Sequence, residues 1–171
     1  TGREDMGPAN EAEGAHKLML LLKGDRVEVA AQLGWKLTKL DRRLALMQAS
    51  SEVRDALSQK KITLGHAELL AAVPQGKQGG ALKAIVERGL SVAVLRKEIG
   101  KIANALEDAV FDKGECGTCM YSSAQQNSLF SEAIAAGYCT NSECWDRKTV
   151  AHLDGVASKL REEVQRVEVI G

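Results

Sequence analysis

The chain has 171 residues, and its 23 lysines and arginines balance 23 aspartates and glutamates, so its formal charge cancels. Apolar residues make up 44%, enough for a packed core and too many for a disordered tail. Aromatics at 4% and only 2 prolines, in a chain rich in alanine and leucine, disfavour a β-sandwich or barrel, and no apolar run approaches the ~18 residues of a membrane span.

The opening Thr1-Gly2-Arg3-Glu4-Asp5 has neither an initiator methionine nor a signal-peptide pattern, so the chain reads as a fragment of a longer protein. Gly7-Pro8-Ala9-Asn10 reads as a helix start, with proline tolerated in the first turn. Ala12, Ala15, Leu18, Met19 and Leu22 continue that helix until Gly24. Asp25 and Glu28 have capping-box spacing and open a short helix to about Leu33, which Gly34 breaks. After Trp35, the residues Leu37, Leu40, Leu44 and Met47 recur three and four apart and predict one apolar helix face. Ser50-Ser51 starts another helix with Val53, Ala56 and Leu57 inward. Thr63 caps a fifth helix, which Pro74 stops.

Gln75 to Gly80 reads as a glycine-rich loop, followed by a helix over 81–88 that Gly89 ends. Ser91 caps the next, with Val92, Leu95, Ile99, Ile102, Leu106 and Val110 as its stripe. The segment from Gly114 to Cys144 holds every cysteine and reads as a small separate module, with a short helix between Ser128 and Ala136 that turns Leu129, Phe130 and Ile134 inward. A last helix, about Trp145 to Val167, carries Val150, Leu153, Ala157, Leu160, Val164 and Val167 in register. No strand signal stands out.

Zero net charge excludes a nucleic-acid binder only if the charges are evenly spread. They are not. Between Trp35 and Lys61 lie seven basic residues (Lys36, Lys39, Arg42, Arg43, Arg54, Lys60, Lys61) and three acidic ones (Asp41, Glu52, Asp55), a local charge of +4. A helix, a tight turn at glycine and a second, basic helix form the helix-turn-helix arrangement, whose second helix fits the DNA major groove. Lys36, Thr38, Lys39, Arg42 and Arg43 project off the apolar stripe of that helix. The same pattern also fits a solvated amphipathic face, Trp35 reads as a core anchor, and His66 fits packing or capping as well as it fits a phosphate contact.

Val29-Ala30-Ala31-Gln32-Leu33-Gly34-Trp35 followed by Arg42-Arg43-Leu44-Ala45-Leu46-Met47 resembles the helix-turn-helix of ParB-family partition proteins. The likeness continues through Val53-Arg54-Asp55-Ala56-Leu57 and Ile62-Thr63-Leu64-Gly65-His66-Ala67. It also includes Arg3-Glu4-Asp5-Met6 and Glu11-Ala12, similar to the family's passage out of its N-terminal nucleotide domain. The cysteine-bearing second half resembles the ParB-like proteins of plasmids and mobile elements, including the PRTRC-system type. The resemblance implies a double-stranded DNA partner, with Lys36, Thr38, Lys39, Arg42 and Arg43 on the recognition helix and Lys61, Thr63 and His66 at a neighbouring helix start that approaches phosphate. It implies CTP binding and hydrolysis only for the longer parent, a ParA-like ATPase as that parent's partner, and a bacterial cytoplasmic setting on nucleoid or plasmid.

The four cysteines form two close pairs, Cys116-x₂-Cys119 and Cys139-x₄-Cys144, nineteen residues apart. Tetrahedral zinc takes four thiolates from such knuckles, and a closed four-cysteine sphere is structural, with no position left for substrate. An iron–sulfur cluster uses the same ligands, and two disulfides are the third reading, disfavoured in a reducing compartment. The second half is acidic around Glu107, Asp108, Asp112 and Glu115, which favours structure or a protein partner over phosphate contact. No cluster of carboxylates and only three scattered histidines are found, so the reading is of a binding protein and not an enzyme. The expected fold is all-α: residues 1–24 a linker and first helix, 25–110 a helix-turn-helix DNA-binding domain, 111–148 a four-cysteine zinc module and 149–171 a C-terminal helix. The alternative function is a protein-interaction or dimerisation module of a transcriptional regulator, held by structural zinc and paired through the last helix.

Overall fold

The computed structural model describes residues 6–170; the resemblance at Arg3, Glu4 and Asp5 falls outside them. The fold is all-α. Helix α1 (Pro8–Leu21) starts on Pro8, whose missing N–H is no loss in a first turn. Helix α2 (Arg26–Leu33) is capped by the Asp25 carboxylate, which accepts from the Glu28 N–H at 3.0 Å. Gly34 closes it in the left-handed region at φ 67°, a conformation cheap only for glycine. Helix α3 (Leu37–Leu46) follows after two residues, then α4 (Ser51–Ser58), with the Ser50 hydroxyl as cap, and α5 (Leu64–Ala71).

The expected glycine-rich loop is instead the first half of α6 (Gln75–Arg88). The cause is tertiary. Gln78 is fully buried; its carbonyl accepts from the Ser50 N–H at 2.7 Å and its amide donates to the Gln48 and Val73 carbonyls at 3.0 and 2.9 Å. Pro74 therefore starts a helix where the sequence suggested only a stop. Helix α7 (Val92–Ile102) ends eight residues short of the expected stripe. Ala103 turns extended, and β1 (Asn104–Ala105) pairs antiparallel with β2 (Tyr138–Cys139).

The helix between the cysteine pairs is α8 (Ser123–Leu129), earlier than the expected span near Ser128 to Ala136. Asn127 explains the shift, because its side-chain amide holds both the Ser123 and Ile134 carbonyls at 2.7 Å and folds the following residues back as extended chain. Phe130 and Ile134 are nonetheless buried, as their apolar character suggested. They join the same core as Leu46, Val53, Ile62, Leu69, Leu70, Ile85 and Leu95, so the cysteine segment leans on the helical bundle and shares its core. A second, smaller core of Ala15, Val29, Ala30 and Leu40 knits α1, α2 and α3 together. The last helix, α9 (Ser142–Ile170), runs 29 residues and buries none of them. None of the described helices is long and apolar enough to cross a membrane.

Replacing Gln78 with leucine keeps the volume and orphans two backbone groups, the Ser50 N–H and the Val73 carbonyl, while the Gln48 carbonyl keeps Gln75 at 3.3 Å. The expected loss is about 3 kcal/mol, since each buried unpaired group costs about 1–3 kcal/mol. A urea midpoint unchanged from wild type would show that the Gln78 amide does not hold α6 in place.

Candidate nucleic-acid interface and cysteine cluster

Helices α2 and α3 meet at a turn set by two backbone bonds, Gly34 N–H to Ala31 O at 3.1 Å and Trp35 N–H to Ala30 O at 2.9 Å. Trp35 packs on the smaller core, as a core anchor should. Lys36 is the N-cap of α3 and is exposed, with Leu37, Thr38 and Arg42. Leu37 was expected on the inner face; its position in the first turn leaves it 43% exposed instead. An ion pair between Arg26 and Asp41 ties α2 to α3, so the one acid on α3 is already matched.

Lys39 and Arg43 are held differently. The Lys39 ammonium donates to Glu11 Oε1 at 2.8 Å, and Arg43 Nε donates to Glu11 Oε2 at 2.6 Å. Lys39 also lies over the Trp35 ring, 4.3 Å from its centre. The Glu11 and Arg43 side chains are each only 16% exposed, whereas Lys39 is 41% exposed. Burial alone would raise the Glu11 pKa; the hydrogen bonds and charges of Lys39 and Arg43 outweigh that and hold it below the ordinary carboxylate value. Glu68, buried on α5, is the opposite case. Desolvation raises its pKa, only partly countered by Arg42, by the N–H it binds in the 131–132 peptide, and by Arg43.

The three positions at the α5 start separate. His66 is buried, its Nδ1 accepting from the Thr63 N–H at 3.2 Å and its Nε2 lying 2.8 Å from the Leu90 carbonyl. Both ring nitrogens are engaged within the fold, which leaves neither for phosphate, so His66 caps and packs here. Thr63 is exposed. Lys61 is also exposed and lines a groove apart from α3 with Glu52, Asp55 and the Lys83–Glu87 ion pair.

At the other end, backbone and surface ties connect the two segments that carry the cysteine pairs. Ser122, just after the first pair, bridges to Cys139, and the Tyr121 N–H donates to Cys119 Sγ at 3.4 Å. Asn141 caps the α9 start by accepting from the Cys144 N–H at 3.0 Å. Lys148 reaches Glu115 at 3.0 Å and Phe111 meets Trp145 edge-on at 5.1 Å, which pins the Cys116 turn to the helix carrying Cys144. All four thiols are free and half-buried. Burial raises the Cys139 pKa, and the other three cysteines raise it further. Arg147 Nη2 lies 3.7 Å from Cys144 Sγ. The Lys148 pKa is raised, chiefly by its hydrogen bond to Glu115, with Cys116 and Cys144 adding. Among the described residues no group of three or more His, Cys, Asp or Glu is drawn together to hold a metal ion. His152 is exposed on α9.

A two-helix pair set at a glycine turn, its second helix exposing basic residues beside an α1 brace, defines a helix-turn-helix protein. The chain belongs to the ParB HTH domain family, whose model matches residues 4–104. It is 38% identical over 91 residues to a chromosome-partitioning protein Spo0J of Thermus thermophilus, covering 53% of this chain and 33% of that protein. It is 29% identical over 97 residues to a probable chromosome-partitioning protein ParB of Coxiella burnetii, covering 57% of this chain and 33% of that protein. The chain thus spans about a third of the length of these curated relatives.

The lowered Glu11 pKa has a sign. Its contribution to stability is present above the unfolded carboxylate value and is lost as pH falls through the lower folded value. Glu11→Gln is therefore expected to lose roughly 1 kcal/mol near neutral pH, after allowance for solvent screening. The gap to wild type should close in acid, as followed by thermal melts from pH 7 to pH 3; a gap independent of pH would mean that the ion pair does not stabilise the fold.

Proposed function

We propose that this chain is the part of a ParB-like partition or maintenance protein of a plasmid or mobile element that binds double-stranded DNA sequence-specifically. The observation that carries the reading is the outer face of α3, where Lys36, Thr38 and Arg42 stand exposed on a helix braced from behind by α1 and α2. Such a helix offers its first turns to base edges while flanking cations meet phosphates. The curated relatives are named for chromosome partitioning, which supports a segregation role for the longer protein. In that parent, CTP binding belongs to a preceding domain, a ParA-like ATPase is the partner, and the site of action is the bacterial cytoplasm. The segment itself acts by binding and not by catalysis.

Fluorescence anisotropy with duplexes from a randomised pool tests this. Arg42→Ala should weaken binding to the tightest recovered duplex about tenfold or more, the loss of one good base contact, while Lys60→Ala changes it little. Equal losses would place the recognition face elsewhere, and no binding at low salt would remove the DNA reading.

A second reading concerns the C-terminal half. The four free thiols, their knuckle spacing and the neighbouring Arg147 and Lys148, which would balance thiolate charge, support a structural zinc ion held by Cys116, Cys119, Cys139 and Cys144. An iron–sulfur cluster would use the same set. On α9, Val150, Leu153, Leu160, Val164 and Val167 are all more than half exposed, with Ala157 completing a three-four spacing. Valine and leucine at those positions suit a two-stranded coil between copies of the chain. Native mass spectrometry reads both features at once. The expected species is two chains with two zinc ions, and a metal-free single chain at every concentration would overturn this reading.

A further inference from the structure

Four cations stand on or at the start of α3, and among the described residues Lys39 and Arg43 are hydrogen-bonded to an acid while Lys36 and Arg42 are not. Lys39 and Arg43 stand one helical turn apart on the same face, and one carboxylate from α1 takes both. The geometry is bidentate and half-buried, with each Glu11 oxygen spent on a different cation. Arg43 gives up its Nε and is shielded to 16% exposure, so it cannot swing outward without leaving Glu11 Oε2 without its partner. Lys39 is steadied on its other side by the Trp35 ring, which sits in the turn itself. Sequence-independent DNA binding comes from cations meeting phosphates, whereas base reading needs side chains held in register. A carboxylate that neutralises part of the helix charge and immobilises two of its cations weakens the first and sharpens the second.

We propose that Glu11 is a specificity-determining residue of the DNA interface. Acting through Lys39 and Arg43, it restrains non-specific phosphate attraction and holds the recognition helix in register. This inference rests on the DNA-binding reading above. It makes Glu11 a positioning residue: it is not assigned a contact with a base.

The test compares wild type, Glu11→Gln and Glu11→Asp on two probes: the tightest duplex recovered from a randomised pool and a scrambled duplex of equal length. Each is titrated from 50 to 200 mM salt, with thermal melts confirming that every variant is folded. For Glu11→Gln, affinity for the scrambled duplex should rise about threefold at low salt, and the log–log salt slope should steepen by about 0.9, one extra phosphate contact. Affinity for the selected duplex should rise less or fall, so the specificity ratio drops. Glu11→Asp, which keeps the charge on a shorter arm, should restore the wild-type salt slope. An unchanged ratio and slope, or equal losses on both duplexes with an unchanged slope, would overturn the proposal and reduce Glu11 to a structural residue. If wild type binds neither duplex, the DNA reading itself fails and this inference goes with it. If wild type discriminates and Glu11→Gln does so equally well, only this inference fails.

Discussion

The close approach of α1 to α3 is the contact on which the rest of the molecule depends. Ala9, Ala12 and Ala15 line the inner side of α1 and are each almost fully buried. Small side chains there let two helix backbones come near, and they serve both cores at once, Ala9 and Ala12 the larger and Ala15 the smaller. That proximity is what brings Glu11 to Lys39 and Arg43 of α3, while Glu13 separately ties α1 to Arg54 of α4 at 3.3 Å. The apolar contact sets the distance, and the ion pairs then set the rotation of α3. Without it, α2 and α3 would be a helix pair with no fixed outer face.

The same economy joins the two halves of the chain. The carbonyl of Ala72, at the end of α5, accepts from both the Thr140 hydroxyl and the Gln126 amide, the latter at 2.9 Å. Glu68 receives the Glu132 N–H at 3.0 Å, and Arg96 of α7 pairs with the Glu132 carboxylate. Gly65 makes room for this, since a methyl group there would meet Glu132 and Val92 carbons at 3.1 Å. The polar bonds run from the cysteine segment into the helix behind α3, while Phe130 and Ile134 add apolar burial to the same join. Order in the C-terminal half is therefore order in the support of α3.

Much of this was legible in the residues. The caps at Asp25, Ser50 and Ser91, the break at Gly34 and the inward set Val53, Ala56 and Leu57 all act locally, and local patterns report them. The errors share a cause. The 75–80 segment looked like a loop because glycine weakens a helix, yet buried Gln78 bonds to residues 28 and 30 positions away. The stripe continued past Ile102 in sequence because Leu106 and Val110 kept the period, but β1 pairs with a strand more than thirty residues on. His66 carried a family-like motif, and only the fold places the Leu90 carbonyl against its far nitrogen.

The sequence alone determined the fold class, the family and the two regions of chemical interest, because each is written in spacings shorter than a few helical turns. Helical periodicity, a glycine turn and paired cysteines need no long-range information to be read. The tertiary structure decided which cations on α3 are hydrogen-bonded to an acid, since Glu11 lies 28 and 32 residues from the groups it binds. It also decided that Lys61 lines a groove apart from α3 and that the cysteine segment shares the main core. A charge count sums residues wherever they lie. An electrostatic interaction falls with distance through space, and that distance is set only once the chain has folded.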